Sequence, residues 1–167
     1  MRVETPLSIA VVTVSDTRTE ETDKSGSVLV NFLQEAGHKL HSKTIVKDEI
    51  KDLRSLVSTH ISDPGVHAVL TTGGTGFTKR DNTQEAIQPL FEANIDGFGE
   101  LFRQLSYEEI GSSTIQSRVF AGLANGTIIF CLPGSPGACT TGWQKIIVNQ
   151  LDSSHKPCNF VDKLKLN

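Results

Sequence analysis

The sequence predicts an α/β protein, a three-layer α/β/α sandwich around a mostly parallel central sheet. Three observations carry that expectation. Near-continuous apolar runs, Ile9-Ala10-Val11-Val12 and Ile128-Ile129-Phe130 among them, read as strands buried on both faces. Stretches of 3.6-residue apolar spacing lie between the early strands. Strand and helix alternate there as βαβαβ, which calls for parallel pairing and right-handed crossovers.

Leu7 to Val14 is rich in β-branched residues and reads as a central strand. It stops in the polar turn Ser15-Asp16-Thr17-Arg18, at the edge where open α/β sheets bind ligands. Val28, Leu29, Phe32, Leu33 and Ala36 share one helical face, and Gly37 is the expected terminator of that helix. Lys39 to Val46 mixes polar and apolar residues and suits a strand nearer the sheet edge. Asp48 stands where an N-cap is expected, ahead of a helix from Glu49 to Ser62 whose inward face is Leu53, Leu56, Val57, His60 and Ile61. Asp63-Pro64-Gly65 closes that helix, because the residue before proline leaves the helical region. Val66 to Leu70 is the third strand.

It runs into Thr71-Thr72-Gly73-Gly74-Thr75-Gly76-Phe77-Thr78-Lys79-Arg80-Asp81, the most informative stretch of the chain. Its glycines allow close backbone approach and positive φ. Exposed N–H groups beside a helix start suit an anion, and Asp81 at the rim suits a nearby cation. A helix from about Asn82 to Phe91 follows, shortened or kinked by Pro89. Asp96-Gly97-Phe98-Gly99 reads as a break before a helix from Glu100 to Ile110 with Leu101, Phe102, Leu105 and Tyr107 inward. Ser112 to Leu123 is assigned a short helix. Thr127 to Leu132 is a buried strand ending in Pro133-Gly134-Ser135-Pro136-Gly137, ahead of a last helix from Ala138 to Leu151. The whole chain, 1–167, reads as one domain with a mostly irregular tail over 152–167.

Composition narrows the function classes. A formal charge of −3 argues against a nucleic-acid partner, which normally meets a basic face. No apolar run approaches the length of a membrane span. The first residues carry no signal-peptide apolar core, and three cysteines without C-x-x-C spacing fit a reduced, cytoplasmic protein. The five histidines show no metal-ligand spacing.

The glycine loop matches neither standard nucleotide fingerprint. Neither Gly73 nor Gly74 is followed at the required distance by the Gly-Lys pair of a P-loop, and the dinucleotide pattern begun at Gly74 and Gly76 meets Lys79 at its third glycine position. Asp48, Asp81 and the Ser15-Asp16 pair are candidate functional groups at strand ends, and each also has the plain reading of a cap or turn residue. Arg103 and Arg118 are candidates to clamp phosphate or bridge subunits, with a solvated surface position as the default for either. Ser135, Asp152 and His155 follow the order of an α/β-hydrolase triad. Pro133, however, replaces the first elbow glycine, and the intervening helix would hold the other two far from the serine.

Taken together, Ser15-Asp16-Thr17-Arg18, Asp48-Glu49, Thr71 to Gly76, Arg80-Asp81, Gly97-Phe98-Gly99-Glu100 and Pro133-Gly134-Ser135-Pro136 resemble, in order, the molybdopterin-binding fold of the MoaB/Mog family. The resemblance spans nearly the whole chain. It implies molybdopterin as ligand and, in the active enzymes, its adenylylation by ATP and Mg²⁺ with release of pyrophosphate; the alternative is a pterin-binding or carrier protein without turnover. It further implies that Thr72, Gly73, Gly74, Thr75, Gly76 and Arg80 bind phosphate or pterin, and that Asp81, a catalytic candidate, helps to hold Mg²⁺ or to orient the substrate. Asp48 would be the second functional carboxylate, and Pro133, Gly134, Ser135 and Pro136 another pocket wall, with Arg103 and Ser106 near the pterin. The family's assembly as trimers, or as hexamers of two trimers, is expected here too. A purely scaffolding role would bury the glycine loop at a subunit contact, which is costly for a loop rimmed by Lys79, Arg80 and Asp81. Other molybdenum cofactor biosynthesis proteins are possible partners by the same resemblance.

Overall fold

In the computed structural model, which describes residues 2–166, β1 (Ser8–Val14), α1 (Lys24–Glu35), β2 (Lys39–Val46), α2 (Ile50–Ser62) and β3 (Ala68–Thr72) follow the predicted βαβαβ order. After them come α3 (Thr83–Ile87), β4 (Ala93–Asn94), α4 (Asp96–Ile110), β5 (Phe120–Ala124), β6 (Thr127–Leu132), α5 (Pro136–Gly142) and, across a π turn at Trp143–Ile147, α6 (Val148–Gln150). The strands form one sheet in the order β2-β1-β3-β6-β5-β4. β2, β1, β3 and β6 are mutually parallel, and the β6-β5-β4 end is antiparallel.

Two apolar layers sandwich this sheet, as the alternation along its strands requires. Ile9, Val11, Leu70, Ile128 and Phe130 face Leu29, Leu33, Phe102 and Trp143, from α1, α4 and the turn after α5. Ala10, Val12, Val69, Ile129 and Cys131 face Leu53, Val57, Ala86 and Ile87, from α2 and α3. The central strands are therefore covered on both sides, and β2 takes the edge that its mixed pattern predicts.

Four expectations need correction. Asp96 to Gly99 is the first turn of α4 rather than a break, because Phe98 packs into the core against Phe102 and Phe130 and extends the buried face backwards. On that helix Leu101 and Tyr107 point outward, and Phe98, Gly99, Phe102 and Ser106 are the buried positions. Ser112 to Leu123 is only partly helical: a 3-10 segment covers Gly111–Gln116, and β5 follows. A tight turn at Asn125 and Gly126, both at positive φ, folds β5 back on β6. Asp48 does not cap α2, whose N-cap position is Glu49. Pro89, by contrast, ends α3 in a 3-10 turn as expected, and Gly37 follows α1 at φ +97°. The segment after α6 is irregular apart from a 3-10 turn at Val161–Lys163.

Candidate functional site

Register places the site. Thr13 of β1 pairs with Thr72 of β3, and Thr72 pairs with Leu132 of β6. The three strands end level, so the turn after Val14, the glycine loop after Thr72 and the Pro-Gly turn after Leu132 meet at one sheet edge. Chain order also reverses here: from β1 the sheet grows outward to β2 on one side and to β3 on the other. This is the switch point at which open α/β sheets hold ligands.

A cavity of about 440 Å³ opens there. Its walls are Thr13, Ser15, Arg18 and Ser25 on the β1 and α1 side, Thr72 to Gly76 with Asp81 on the glycine-loop side, and Pro133 with Gly134. The 3-10 segment after α4 closes it with Ser113 and Gln116, joined by Ser117 just past its end.

The glycine loop is shaped by close approach. Gly73 and Gly74 adopt φ +107° and +70°, conformations disfavoured for side chains. A Cβ on Gly74 would overlap Thr83 Oγ1 and lie 2.6 Å from Asp48 Oδ2. The Gly73 N–H is taken by Leu132 O, and the Gly73 and Gly74 carbonyls accept from Thr83 Oγ1 and N. Among the described residues the N–H groups of Gly74 and Thr75 have no protein acceptor. Two backbone donors thus remain in the stretch that lines the cavity. Arg18 is the one cationic side chain among the described residues of its lining.

Asp81 reaches the cavity as a carboxylate. Its Oδ2 accepts from Thr78 N at 2.9 Å and from Thr78 Oγ1 at 2.7 Å. Partial burial acts to raise its pKa, but the hydrogen bonds from Thr78 and Gly76 outweigh it and hold the group below the ordinary value. Asp48 behaves oppositely. It is 4% exposed, sits behind Gly74, and its Oδ1 accepts from Asn82 N at 3.0 Å. Burial and the neighbouring carboxylates Asp81 and Asp16 raise its pKa, against the Asn82 hydrogen bond. Asp48 supports the loop from beneath and is absent from the cavity lining.

The remaining predicted residues divide. Thr72, Gly73, Gly74, Thr75, Gly76, Asp81, Ser15, Pro133 and Gly134 come together at the cavity. Arg80 does not line it: Asp16 and Glu49, from two adjacent strand-end turns, hold its guanidinium outside. Asp16 is occupied by that pairing, which with the Asp48 N–H keeps its carboxyl below the usual range. Ser135 Oγ caps α5 by accepting from Ala138 N, and Pro136 is the first residue of that helix. Arg103 donates to the carbonyls of Ser117 and Val119 and lines a separate cavity of about 460 Å³ with Gln84, Gln88 and Arg118. Ser106 is buried in α4 and lines neither cavity.

Sequence reasoning missed Thr13, Arg18, Ser25, Ser113, Gln116 and Ser117 as wall residues. Arg18 was legible as the last residue of the turn after β1. The others carry no motif and reach the cavity through register, the first turn of α1 or the 3-10 segment and its end. Arg118, for which the sequence left a phosphate clamp, a subunit bridge or a solvated surface residue open, clamps the protein itself. Its Nε, Nη2 and Nη1 donate to Gly76 O, Asp81 O and Glu85 Oε1, and its guanidinium lies 5.0 Å from the Phe77 ring centroid.

Fold and site together define an open α/β protein with a pocket of backbone donors at its switch point. Comparison with known proteins gives the family. A family model described as "Probable molybdopterin binding domain" matches residues 10–153. The chain is 52% identical over 160 residues to molybdenum cofactor biosynthesis protein B of Escherichia coli (strain K12), covering 96% of this chain and 94% of the relative. It is 51% identical over 142 residues to the protein of that name from Bacillus subtilis (strain 168), covering 84% of each. A crystal structure of molybdenum cofactor biosynthesis protein B superposes with a TM-score of 0.86 at 46% identity, over 90% of this chain and 94% of that one. The chain therefore belongs to the molybdopterin-binding-domain family of molybdenum cofactor biosynthesis proteins. Among the described residues no helix is long and apolar enough to cross a membrane.

Proposed function

We propose that this cavity binds molybdopterin and that the protein adenylylates it with ATP and Mg²⁺. In that reaction an oxygen of the pterin's terminal phosphate attacks the α-phosphorus of ATP. The bond from that phosphorus to the β-phosphate bridging oxygen breaks, and pyrophosphate leaves with the electron pair. Such a transfer asks for positioning and charge neutralisation more than for a protein nucleophile. The observation that carries the reading is one cavity lining that holds Gly74 and Thr75, whose N–H groups have no protein acceptor among the described residues, together with Arg18 and the Asp81 carboxylate.

These groups fit Mg²⁺ delivered with a nucleotide. Among the described residues no three His, Cys, Asp or Glu side chains gather into a closed metal site. Mg²⁺ usually keeps several waters and takes one or two carboxylates plus substrate phosphates, so a preformed cage is not required. Asp81 is the residue that would hold it, since its carboxylate is ionised and lines the cavity. The cation would neutralise phosphate charge. The loop donors would orient a phosphate, and Arg18 would balance the negative charge of the bound ligands.

The alternative is a pterin-binding or carrier protein without turnover. It draws support from Asp48, which is buried under the loop and leaves Asp81 as the single carboxylate side chain among the described residues of the lining. Purified protein supplied with molybdopterin, Mg²⁺ and labelled ATP separates the two. Adenylylated pterin and pyrophosphate are expected. Tight pterin binding without either product would leave the carrier reading.

A homotrimer or homohexamer is part of the same proposal. Leu101, Tyr107 and Ile110 on the outer side of α4, with Ile115 just beyond, expose a run of large apolar side chains that self-association would cover. Light scattering of the purified protein reads the subunit count.

A further inference from the structure

The reaction described above makes no use of Asp23, although this carboxylate is 2% exposed and lies against the site. Burying a charge is costly without partners, so its surroundings show what it holds in place. Asp23 Oδ1 accepts from the Gly26 N–H at 3.0 Å, at the first turn of α1. Its Oδ2 accepts from Thr13 Oγ1 at 2.6 Å and lies 3.1 Å from Lys43 Nζ. A Cβ on Gly26 would overlap both Asp23 Oδ2 and Thr13 Oγ1, so this contact needs glycine there.

The direction of the Thr13 bond follows from charge. With Lys43 against it, Asp23 is a carboxylate, and a carboxylate only accepts. Thr13 must therefore donate its single proton to Asp23. What Thr13 Oγ1 has left for the cavity it lines is lone pairs alone. The glycine-loop wall is the reverse, with free N–H groups at Gly74 and Thr75. The two walls thus ask for opposite ligand chemistry: a phosphate oxygen can meet the loop, but against Thr13 it would set acceptor against acceptor.

We propose that Asp23 is a positioning residue that polarises Thr13 into an acceptor-only contact, so that Thr13 takes an N–H or NH₂ edge of the pterin while the glycine loop takes a phosphate. This assignment rests on the molybdopterin reading and orients the ligand within the cavity. It makes Thr13 a specificity determinant for a donor-bearing heterocycle.

Thr13→Val keeps the shape and removes the acceptor, and Thr13→Ser keeps the acceptor. Binding of molybdopterin and of inorganic pyrophosphate is measured for each by calorimetry, with thermal unfolding as the folding control. Thr13→Val is expected to weaken molybdopterin about tenfold, the scale of one lost hydrogen bond. Pyrophosphate affinity should stay within about twofold, and Thr13→Ser should restore pterin binding. Asp23→Asn gives a second reading, because an amide can donate to Thr13 and release the hydroxyl proton toward the cavity; the same selective loss is expected. Equal losses for both probes, or unchanged pterin binding by a folded Thr13→Val protein, overturn the assignment. Failure of the wild-type protein to bind molybdopterin would instead overturn the functional reading, and the pterin assignment with it.

Discussion

Arg80 grips Asp16 through two hydrogen bonds, Nε to Oδ2 at 2.9 Å and Nη2 to Oδ1 at 3.0 Å, across 64 residues of sequence. The same Nη2 donates to Glu49 Oε1 at 3.0 Å. One arginine thereby ties the glycine-loop arm to the turns after β1 and β2. Arg80 is 53% exposed, so solvent screens the pair and its contribution to global stability is small. Its effect should be local. Arg80→Ala is expected to speed hydrogen exchange in residues 77–81, with a small fall in melting temperature that disappears at about 1 M salt. An unchanged exchange pattern would mean that the arm is held by its other contacts alone.

Arg118 holds that arm from the opposite side. Its side chain is only 20% exposed and three of its donors are taken up by Gly76, Asp81 and Glu85. Arg118→Met keeps the apolar stem over Phe77 and removes the donors. Two carbonyls then lose charged partners, at a cost of about 2–3 kcal/mol in urea denaturation. Pterin affinity should fall as well, because the loop that lines the cavity loses its brace. A loss below about 1 kcal/mol would assign the arm's order to the Asp48–Asn82 contact instead.

His38 makes stability pH-dependent. It is buried, its Nδ1 accepts from the Leu7 N–H at 3.1 Å, and burial lowers its pKa from 6.5 to about 4. The folded state therefore holds it neutral, and the unfolded chain binds the proton more readily between those values. Its stabilising contribution is complete above pH 6.5 and is lost as pH falls toward 4. At about 1.4 kcal/mol per pH unit the loss is roughly 3 kcal/mol. His38→Gln offers Leu7 an amide oxygen without titrating, and its stability should vary less across that window. Parallel pH profiles for the two proteins would refute the linkage.

Asp81 is the most informative single substitution for the chemistry. As the ionised carboxylate of the cavity, it would act on the developing charge of phosphoryl transfer more than on the bound pterin. Asp81→Ala is expected to cut turnover by about 100-fold and to change pterin affinity by only a few-fold. Equal losses in both would mean that the carboxylate merely supports the loop through Thr78.

The parallel half of the fold was legible because its signals are local. Apolar runs such as Ala10 to Val12, the spacing of Leu29 and Leu33, and Gly37 at a helix end each follow from the covalent and steric properties of neighbouring residues. The glycine loop was legible for the same reason, since Gly73 and Gly74 announce positive φ wherever the chain goes. The antiparallel half was obscure. β4 has two residues, and β5 is held by β6 more than by its own pattern Phe-Ala-Gly-Leu-Ala, although Asn125-Gly126 carried a hairpin signal.

What the sequence by itself determined is the βαβαβ order of the parallel half, the chemistry available at each strand end, and the family those motifs mark. What only the tertiary structure decided is which of those groups share a space. Register set Thr13 level with Thr72 and Leu132, so that Asp23, silent in sequence, came to lie against the cavity. Competition among charges decided the rest. Asp16 and Glu49 drew Arg80 away from the pocket, Arg118 turned to the loop's own carbonyls, and Asp48 was buried beneath Gly74 while Asp81 kept its place in the lining. The physical reason is that hydrogen bonds and ion pairs depend on distances between residues tens of positions apart, and those distances exist only once the sheet has closed its layers.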